Sequence, residues 1–368
     1  AQAPVTSLGL GYPVVPLDAR AAAMGGTGLG LMGGTLSGRN PADLRGFSRP
    51  SLGITYAPEA VDVKSPGTSQ TTGRSRLAIV QAVVPLRSWT VGMSFASGLD
   101  QDWSVSLQDT LESSYGDFPY DERREHDGGV SMVTLGVARQ IDRFSVGIDG
   151  TLLTGSLRQT FFRRFDVAVD DPGRAVEVAS GEARFSWSGL RLRGGLATAI
   201  GSRVRVSGQI GISTDLKATR DTIGDAETYE FAMPLEWSVG GSARLAENLL
   251  ASAAVGFADW SATAADLEGG AASDVLWYGA GLEYVGLEVF GAMMPLRAGF
   301  RRTDLPFHNP AEEPLSETAG TFGIGMEIGG GRAAFDVALE FGTRGDLEAS
   351  GLEEGFRRFS LSMALLQF

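Results

Sequence analysis

Few residues in this 368-residue chain have the chemistry of a metal centre or a covalent catalyst. Cysteine is absent and histidine occurs twice, at His126 and His308, far apart in segments that read as loops. Thiolate metal sites, disulfides and Cys-His or Ser-His catalysis therefore lack their components, and no metal, cofactor or enzymatic activity is expected. The glycines at 25, 26, 28, 30, 33 and 34 superficially suggest a phosphate loop. They have no P-loop lysine and follow no strand of a βαβ unit, so close backbone packing explains them better. What the chain does have is charge placed at alternate positions among apolar neighbours: Asp149, Arg191, Arg193, Arg203, Arg205, Glu236, Glu283, Arg297, Asp336 and Glu340. Charges of both signs on one face of a strand can pair across a wet or protein-filled interior, and an arginine among them could receive an anionic headgroup.

The elements that carry these charges repeat with a period of two. In Trp89-Thr90-Val91-Gly92-Met93-Ser94-Phe95-Ala96 every odd residue is large and apolar, and the pattern recurs at 144–149, 203–212, 231–239 and 335–341. Glycine supplies 51 residues and charged residues only 20%. Mean hydropathy is +0.01, and no run is long and apolar enough for a transmembrane helix, whereas alternating membrane strands average to such a value. Strands are expected near 51–60, 74–86, 89–99, 129–140, 144–156, 185–200, 203–217, 229–245, 249–263, 274–284, 288–304, 317–329, 332–345 and 355–368. Short turns, including one near 285–287, alternate with long loops near 61–73, 100–128, 157–184, 218–228, 264–273, 305–316 and 346–354. That asymmetry predicts an all-β, 14-stranded antiparallel transmembrane β-barrel in a bacterial outer membrane, its short turns and both chain ends on one side. Trp89, Trp187, Trp237, Trp260 and Trp277 are candidates for an aromatic belt.

Residues 1–50 differ: alanine and glycine dominate and alternation is weak. This segment is expected to plug the lumen of a barrel formed by 51–368, because 14 strands enclose more space than side chains fill. Asn40 should then be buried and hydrogen-bonded, with Pro41 setting the chain direction. A net charge of −13 opposes nucleic-acid binding. The start at Ala1-Gln2-Ala3 reads as a secreted chain after signal-peptide removal.

Asp18-Ala19-Arg20, Met24-Gly25-Gly26 and Asn40-Pro41-Ala42 resemble the N-terminal hatch of the FadL family of outer-membrane transport proteins, also known through its OmpP1 and TodX members. PorV-type proteins of type IX secretion share the first and last of these motifs. Asp259-Trp260-Ser261, Pro295 to Arg301 and Thr318-Ala319-Gly320 resemble the family's later strands, and the stretch ending at Phe368 resembles the terminal strand read by the barrel-assembly machinery. The chain departs from the family where Ser37-Gly38-Arg39, rather than an aromatic residue, precedes Asn40, and where the terminal strand's alternation is out of phase with Phe368.

The resemblance implies a hatch of Asp18, Arg20, Met24, Gly25, Gly26, Asn40, Pro41 and Ala42, and passive uptake of a hydrophobic small-molecule ligand such as a long-chain fatty acid or aromatic hydrocarbon, with partial lateral exit. Outer-membrane lipid and lipopolysaccharide would surround the barrel. For an amphipathic anion, Leu29, Leu31 and Met32 are expected to line the tail cavity, with Arg297 and Arg301 near the polar end. In the third loop Phe161, Phe162 and Phe165 lie beside Arg158, Arg163 and Arg164, where they either collect such an anion or extend the strands. The second loop, with Trp103, Leu107, Leu111, Tyr115, Phe118 and Tyr120, reads as a capping helix or hydrophobic groove. The competing reading is a PorV-like interaction protein that binds a secretion channel or cargo over its extracellular loops. A general porin fits less well, since the plug would obstruct diffusion.

Overall fold

The computed structural model describes residues 5–65, 68–113, 116–165, 178–221, 227–267, 271–289, 292–308 and 313–366. Fourteen strands form the barrel: β1 (Ser51–Ser65), β2 (Thr68–Leu86), β3 (Trp89–Asp100), β4 (Gly116–Ile141), β5 (Phe144–Phe165), β6 (Ala179–Ile200), β7 (Val204–Ser213), β8 (Glu236–Ala246), β9 (Leu249–Ala258), β10 (Val275–Tyr284), β11 (Leu296–Asp304), β12 (Ser316–Ile328), β13 (Ala333–Asp346) and β14 (Leu352–Leu365). Each pairs antiparallel with the next, and β14 returns to β1 with Leu52 opposite Leu365. Closure pairs the backbone groups that hydrocarbon would not satisfy around the ring, except where the β2–β3 ladder stops at Ile79 opposite Ala96. No helix among the described residues is long and apolar enough to cross a membrane.

The alternation sorts the side chains as expected. Met93, Leu135, Ile148, Leu152, Ile210 and Phe322 point outward and are more than half exposed, which in a bilayer is lipid contact. Their neighbours Ser94, Thr134, Asp149 and Thr321 face inward. The chain is thus a transmembrane β-barrel of the outer-membrane type. In β14 the outward set is Arg357, Phe359, Leu361, Met363 and Leu365, which fixes its phase; Phe368 lies outside the described residues.

Several expectations are corrected. Strands run higher than the 9 to 11 residues that a bilayer demands: β4 has 26 residues and β5 has 22, so much of the predicted second and third loops is sheet. Trp103–Ser113 is a further strand on β4, with Leu107 opposite Glu122, and not a capping helix; Tyr115 lies outside the described residues. The expected turn near 285–287 extends to 295 and holds the small hairpin Glu288–Val289 with Ala292–Met293. β9 stops at Ala258, and Trp260–Asp266 is a 3-10 helix. Leu216–Arg220 pairs antiparallel with Thr228–Phe231 and, on its other side, with residues Phe185 to Ser188 of β6. Arg203 sits exposed in a turn, not in the lumen. Of the five tryptophans, Trp89 and Trp237 face outward. Trp187 and Trp260 are buried in an interior apolar cluster that Trp277 packs against.

Barrel residues 51 and 365 both lie on the short-turn side. The other end of the described chain does not: the Val5 amide donates to Glu354 at the loop-side start of β14, 2.8 Å away. The N-terminal segment therefore threads the lumen from the loop side toward the turns. Replacing lipid-facing Leu135 by arginine should cost about 2–4 kcal/mol, read as a lower guanidinium midpoint for the vesicle-inserted protein.

Candidate functional site

The N-terminal segment is built by its own capping motifs. Asp18 caps α1 (Ala19–Ala23), its Oδ1 accepting the Ala21 amide at 2.8 Å. Its Oδ2 accepts the Thr35 hydroxyl and the Leu36 amide, both at 2.6 Å, so one carboxylate joins the two arms of the segment. Gly26 has φ +69° and donates to the Ala21 carbonyl at 2.9 Å, ending the helix in the left-handed conformation that glycine tolerates. Arg20 reaches the wall, with a two-nitrogen grip on Glu283 at 2.8 and 2.7 Å, and also donates to the carbonyls of Gly34 and Met32.

Asn40 is buried, as expected. Its amide donates to the Ser207 hydroxyl at 2.9 Å and the Gly208 carbonyl at 3.0 Å, while its Oδ1 caps the 3-10 turn Pro41–Gly46 through the Ala42 amide. Wall glycines make the close approach possible. A Cβ on Gly195 would lie 1.9 Å from Asn40 Oδ1, and one on Gly279 would lie 2.0 Å from the Gly25 carbonyl. The abundant glycine thus serves the contact between barrel and insert. Asp43, which sequence reasoning missed, accepts from the Gly30 amide, Arg205 and Ser207.

Above this insert lies a cavity of about 250 Å³. Val14 to Leu17, Gly25, Gly26, Gly38 and Arg39 floor it, the aromatics Phe257, Trp260, Trp277 and Tyr278 line its wall, and Leu305 and Pro306 close over it. Leu29, Leu31 and Met32, expected in the lining, are elsewhere: Leu29 packs against Gly240, and Leu31 clusters with Met24 and Leu250. Phe161, Phe162 and Phe165 stand on upper β5, away from the cavity, and the arginines beside them are bound to carboxylates: Arg163 to Glu122, Arg164 to Asp121 and Arg158 to Asp127.

The expected anion acceptors are also committed. Arg297 is buried between Glu283 at 2.7 Å and Asp336 at 2.5 Å and does not line the cavity. Arg301 does line it, but pairs with Glu317 at 2.6 Å and Glu340 at 2.9 Å. Arg301 thereby joins a lumen network centred on Arg344, which is fully buried against Glu59, Glu317 and Glu354, whereas Arg297 shares Glu283 with Arg20. Tyr12 joins this network through a 2.7 Å hydrogen bond to Glu317.

Arg39 is different. It forms no ion pair with any described residue; its guanidinium stacks 3.9 Å above the Trp277 ring, and its Nε is buried without a hydrogen-bond partner. Burial, then the charge of Arg301, then that of Arg193 push its pKa down to about 9, against a partial offset from Glu236. Arg39 was marked in the sequence only as a departure from the FadL pattern.

One wall of the cavity is incomplete. The β2–β3 ladder runs from Leu86 opposite Trp89 only to Ile79 opposite Ala96. Beyond it β3 pairs instead with Tyr12–Pro13, and the Val14 amide donates to the Gly98 carbonyl at 2.7 Å. Gly98 is where the register against β4 shifts, and Gly129 opposite has φ +147°, where a Cβ would meet the Leu99 carbonyl at 2.1 Å. Ala78, Gly98 and Leu99 border both this breach and the cavity.

No family model matches the chain, and no curated protein matches it. Solved structures do. The Ralstonia pickettii toluene transporter TbuX superposes with a TM-score of 0.62 at 17% identity, over 96% of this chain and 98% of that one. A Pseudomonas aeruginosa FadL homologue gives 0.66 at 12%, over 96% and 99%, and the monoaromatic hydrocarbon channel CymD gives 0.61 at 14%, over 97% and 98%. The chain has the fold of these barrels.

Two outcomes follow. Asn40→Ala leaves wall acceptors unpaired at about 1–3 kcal/mol each and should loosen the insert, read as faster proteolysis within residues 5–50 and larger conductance in planar bilayers. Arg39 carries a partly buried charge that no described carboxylate pairs and a buried Nε without a partner, an arrangement that costs stability, so Arg39→Gln should raise the thermal midpoint of the detergent-solubilised protein.

Proposed function

We propose that this chain, which has the FadL-type barrel fold, is a passive outer-membrane channel for hydrophobic small molecules, with residues 1–50 acting as its hatch. The observation that carries the reading is the shared border of cavity and breach at Ala78, Gly98 and Leu99. A ligand arriving from the loop side meets Trp260 and Phe307, packed edge to face at 5.2 Å. It then rests in an aromatic-lined space closed below by the hatch, and leaves sideways between β2 and β3 or downward when the hatch shifts.

Three features support transport of apolar matter over a general pore. The hatch fills the lumen, so water and ions have no wide path. A dry cavity of about 150 Å³ already admits benzene, so the observed volume suits a monoaromatic compound or a short acyl segment. Opening toward lipid lets an apolar solute leave without passing the ion pairs that Arg20 and Arg297 make with Glu283 nearer the turns. A long-chain fatty acid fits only if its tail extends through the breach. The substrates named for the structural neighbours, toluene and monoaromatic hydrocarbons, are compatible with the smaller occupant.

Proteoliposomes test this directly. Labelled toluene and labelled long-chain fatty acid should reach an internal trap faster with the protein than without it. Ala78→Trp, which fills the cavity beside the breach, should bring the rate near that of empty vesicles. Equal rates with and without wild-type protein would remove the transport reading.

A further inference from the structure

The barrel treats its basic residues differently at its two ends. Toward the loops, exposed cations stand beside carboxylates: Lys64 pairs with Glu353 at 2.8 Å, Arg164 with Asp121 at 2.8 Å and Lys217 with Glu230 at 2.6 Å. Arg302 is the exposed exception there among the described residues. Toward the turns the reverse holds. Arg87, Arg139, Arg143, Arg203, Arg244 and Arg332 are all exposed, and none forms an ion pair with a described residue. The exposed carboxylates of that end, Asp142, Glu247, Glu288 and Glu327, are fewer and pair with none of these arginines. In a chain of net charge −13, an end where arginine outnumbers acid is not what composition alone delivers.

The arginines follow the hairpins. Leu86 precedes Arg87, Ile141 precedes Arg143, Ile200 precedes Arg203, Leu245 follows Arg244 and Ile328 comes before Arg332, and each of these aliphatic side chains is exposed on the outer wall. Five of the six turns thus set an apolar residue at the edge of the bilayer beside an arginine where headgroups begin. Trp89 faces outward at the same level, with the Arg139 guanidinium 5.0 Å from its ring centre, and Arg143 stands 5.0 Å from that of Phe144. Such aromatics mark headgroup depth, and an arginine stem lies along apolar surface while its charge reaches water or phosphate. Some of the cations are also brought together. The Gln140 amide donates to the Ser88 carbonyl at 3.1 Å, which sets Arg139 beside the turn of Arg87, and the Arg244 amide donates to the Arg203 carbonyl at 2.8 Å. Like charges placed side by side repel unless an anion lies between them.

We propose that the turn end is a seat for the phosphate groups of anionic phospholipids in the leaflet it faces, held at Arg87 with Arg139 and at Arg203 with Arg244. A guanidinium meets phosphate through two parallel hydrogen bonds, and a basic rim at the membrane edge is drawn to an anionic lipid surface. The arginines ring the barrel rather than crowd one flank, and each stands beside a residue that faces lipid. A docked acidic protein would need them gathered on one area below the turns; a lipid shell needs them where they are. The seat fixes the depth of the short turns, whereas the loop end, its charges matched internally, adds no such pull. None of this depends on what the barrel transports.

Vesicles of phosphatidylglycerol and phosphatidylcholine in equal parts, with brominated acyl chains on one lipid or the other, report which lipid neighbours an outward tryptophan by quenching its fluorescence. Trp89 near the turns and Trp237 near the loops both face outward, so Trp237→Phe leaves the first as reporter and Trp89→Phe the second. Both leaflets have one composition, so the direction of insertion does not matter. At Trp89, phosphatidylglycerol should be preferred about five-fold, the attraction of one arginine to an anionic surface. At Trp237 the two lipids should quench equally. Arg87→Gln with Arg139→Gln should bring the ratio at Trp89 to one, and lysine at both positions should keep part of it, with heat-modifiable gel mobility confirming a closed barrel in each. A ratio of one at Trp89 in the otherwise wild-type protein overturns the proposal, and so does an equal preference at Trp237 or a preference that survives both glutamines. A preference lost in inorganic phosphate but kept in sodium chloride of matched ionic strength assigns the arginines to free phosphate and overturns the lipid seat.

Discussion

A chain that crosses a bilayer has no water at mid-depth to complete its hydrogen bonds, so every polar group there must find its partner within the protein. The closed ladder from β1 to β14 meets this demand for the backbone. Its cost is a lumen that 14 strands cannot fill with side chains alone, and a second demand follows: whatever fills the lumen must itself be satisfied against the inner wall. The hatch does so with little side-chain bulk on either surface. Small wall residues bring the two backbones together, and Thr321 and Ser362 accept or donate to Ala23, Gly25 and Ala19. The glycine and serine content of the inward faces is thus a consequence of carrying an insert.

The charged residues obey the same demand at greater stake. Arg344 with Glu59, Glu317 and Glu354 joins the four neighbouring strands β12, β13, β14 and β1 along one side of the lumen. Taking one partner from a buried pair costs about 3–5 kcal/mol, whereas the intact pair offers little over an apolar equivalent. The network is better understood as fixing the arrangement of these strands than as a store of stability. Tyr12 enters it, and Val5 reaches Glu354, so the upper end of the hatch is tied to the same charges that brace the wall.

How much of this could be seen in the sequence depends on the range of the interaction. Period-two alternation is local, and the barrel, its strand number and most inward charges follow from it. The hatch motifs are legible for the same reason: Asp18 and Gly26 cap a helix within their own segment, and Asn40 caps the turn that follows it. Strand height above the membrane was not legible, because Arg163 and Glu122 or Arg164 and Asp121 stabilise β4 and β5 only once paired across strands. The polar alternation there reads as loop. Trp260 and Trp277 misled because alternation gives a face only where the strand continues, and both lie near strand ends; Trp187 lies within β6 and shares its inward parity with Arg191 and Arg193. Arg297 misled for a related reason: its inward direction was correct, but its partners Glu283 and Asp336 come from other strands.

The exceptions to complete satisfaction gather where the fold has a use for them. The missing part of the β2–β3 ladder is covered by Tyr12 and Val14 of the hatch rather than by wall, which makes that stretch of barrel depend on where the hatch lies. Arg39, without an ion pair on the cavity floor, belongs to the same insert and is tied to the wall by Arg193, which donates to its carbonyl. A movement of the hatch that releases Val14 from Gly98 would therefore alter the breach and the cavity floor together, since residues 14 to 17 and 38 to 39 are bonded through the Gly38 amide and the Pro16 carbonyl at 3.3 Å. On the proposed channel reading, occupancy of the cavity and opening of the wall would be linked through this one short piece of chain, as a channel for apolar solutes needs if it is to stay closed to water while empty.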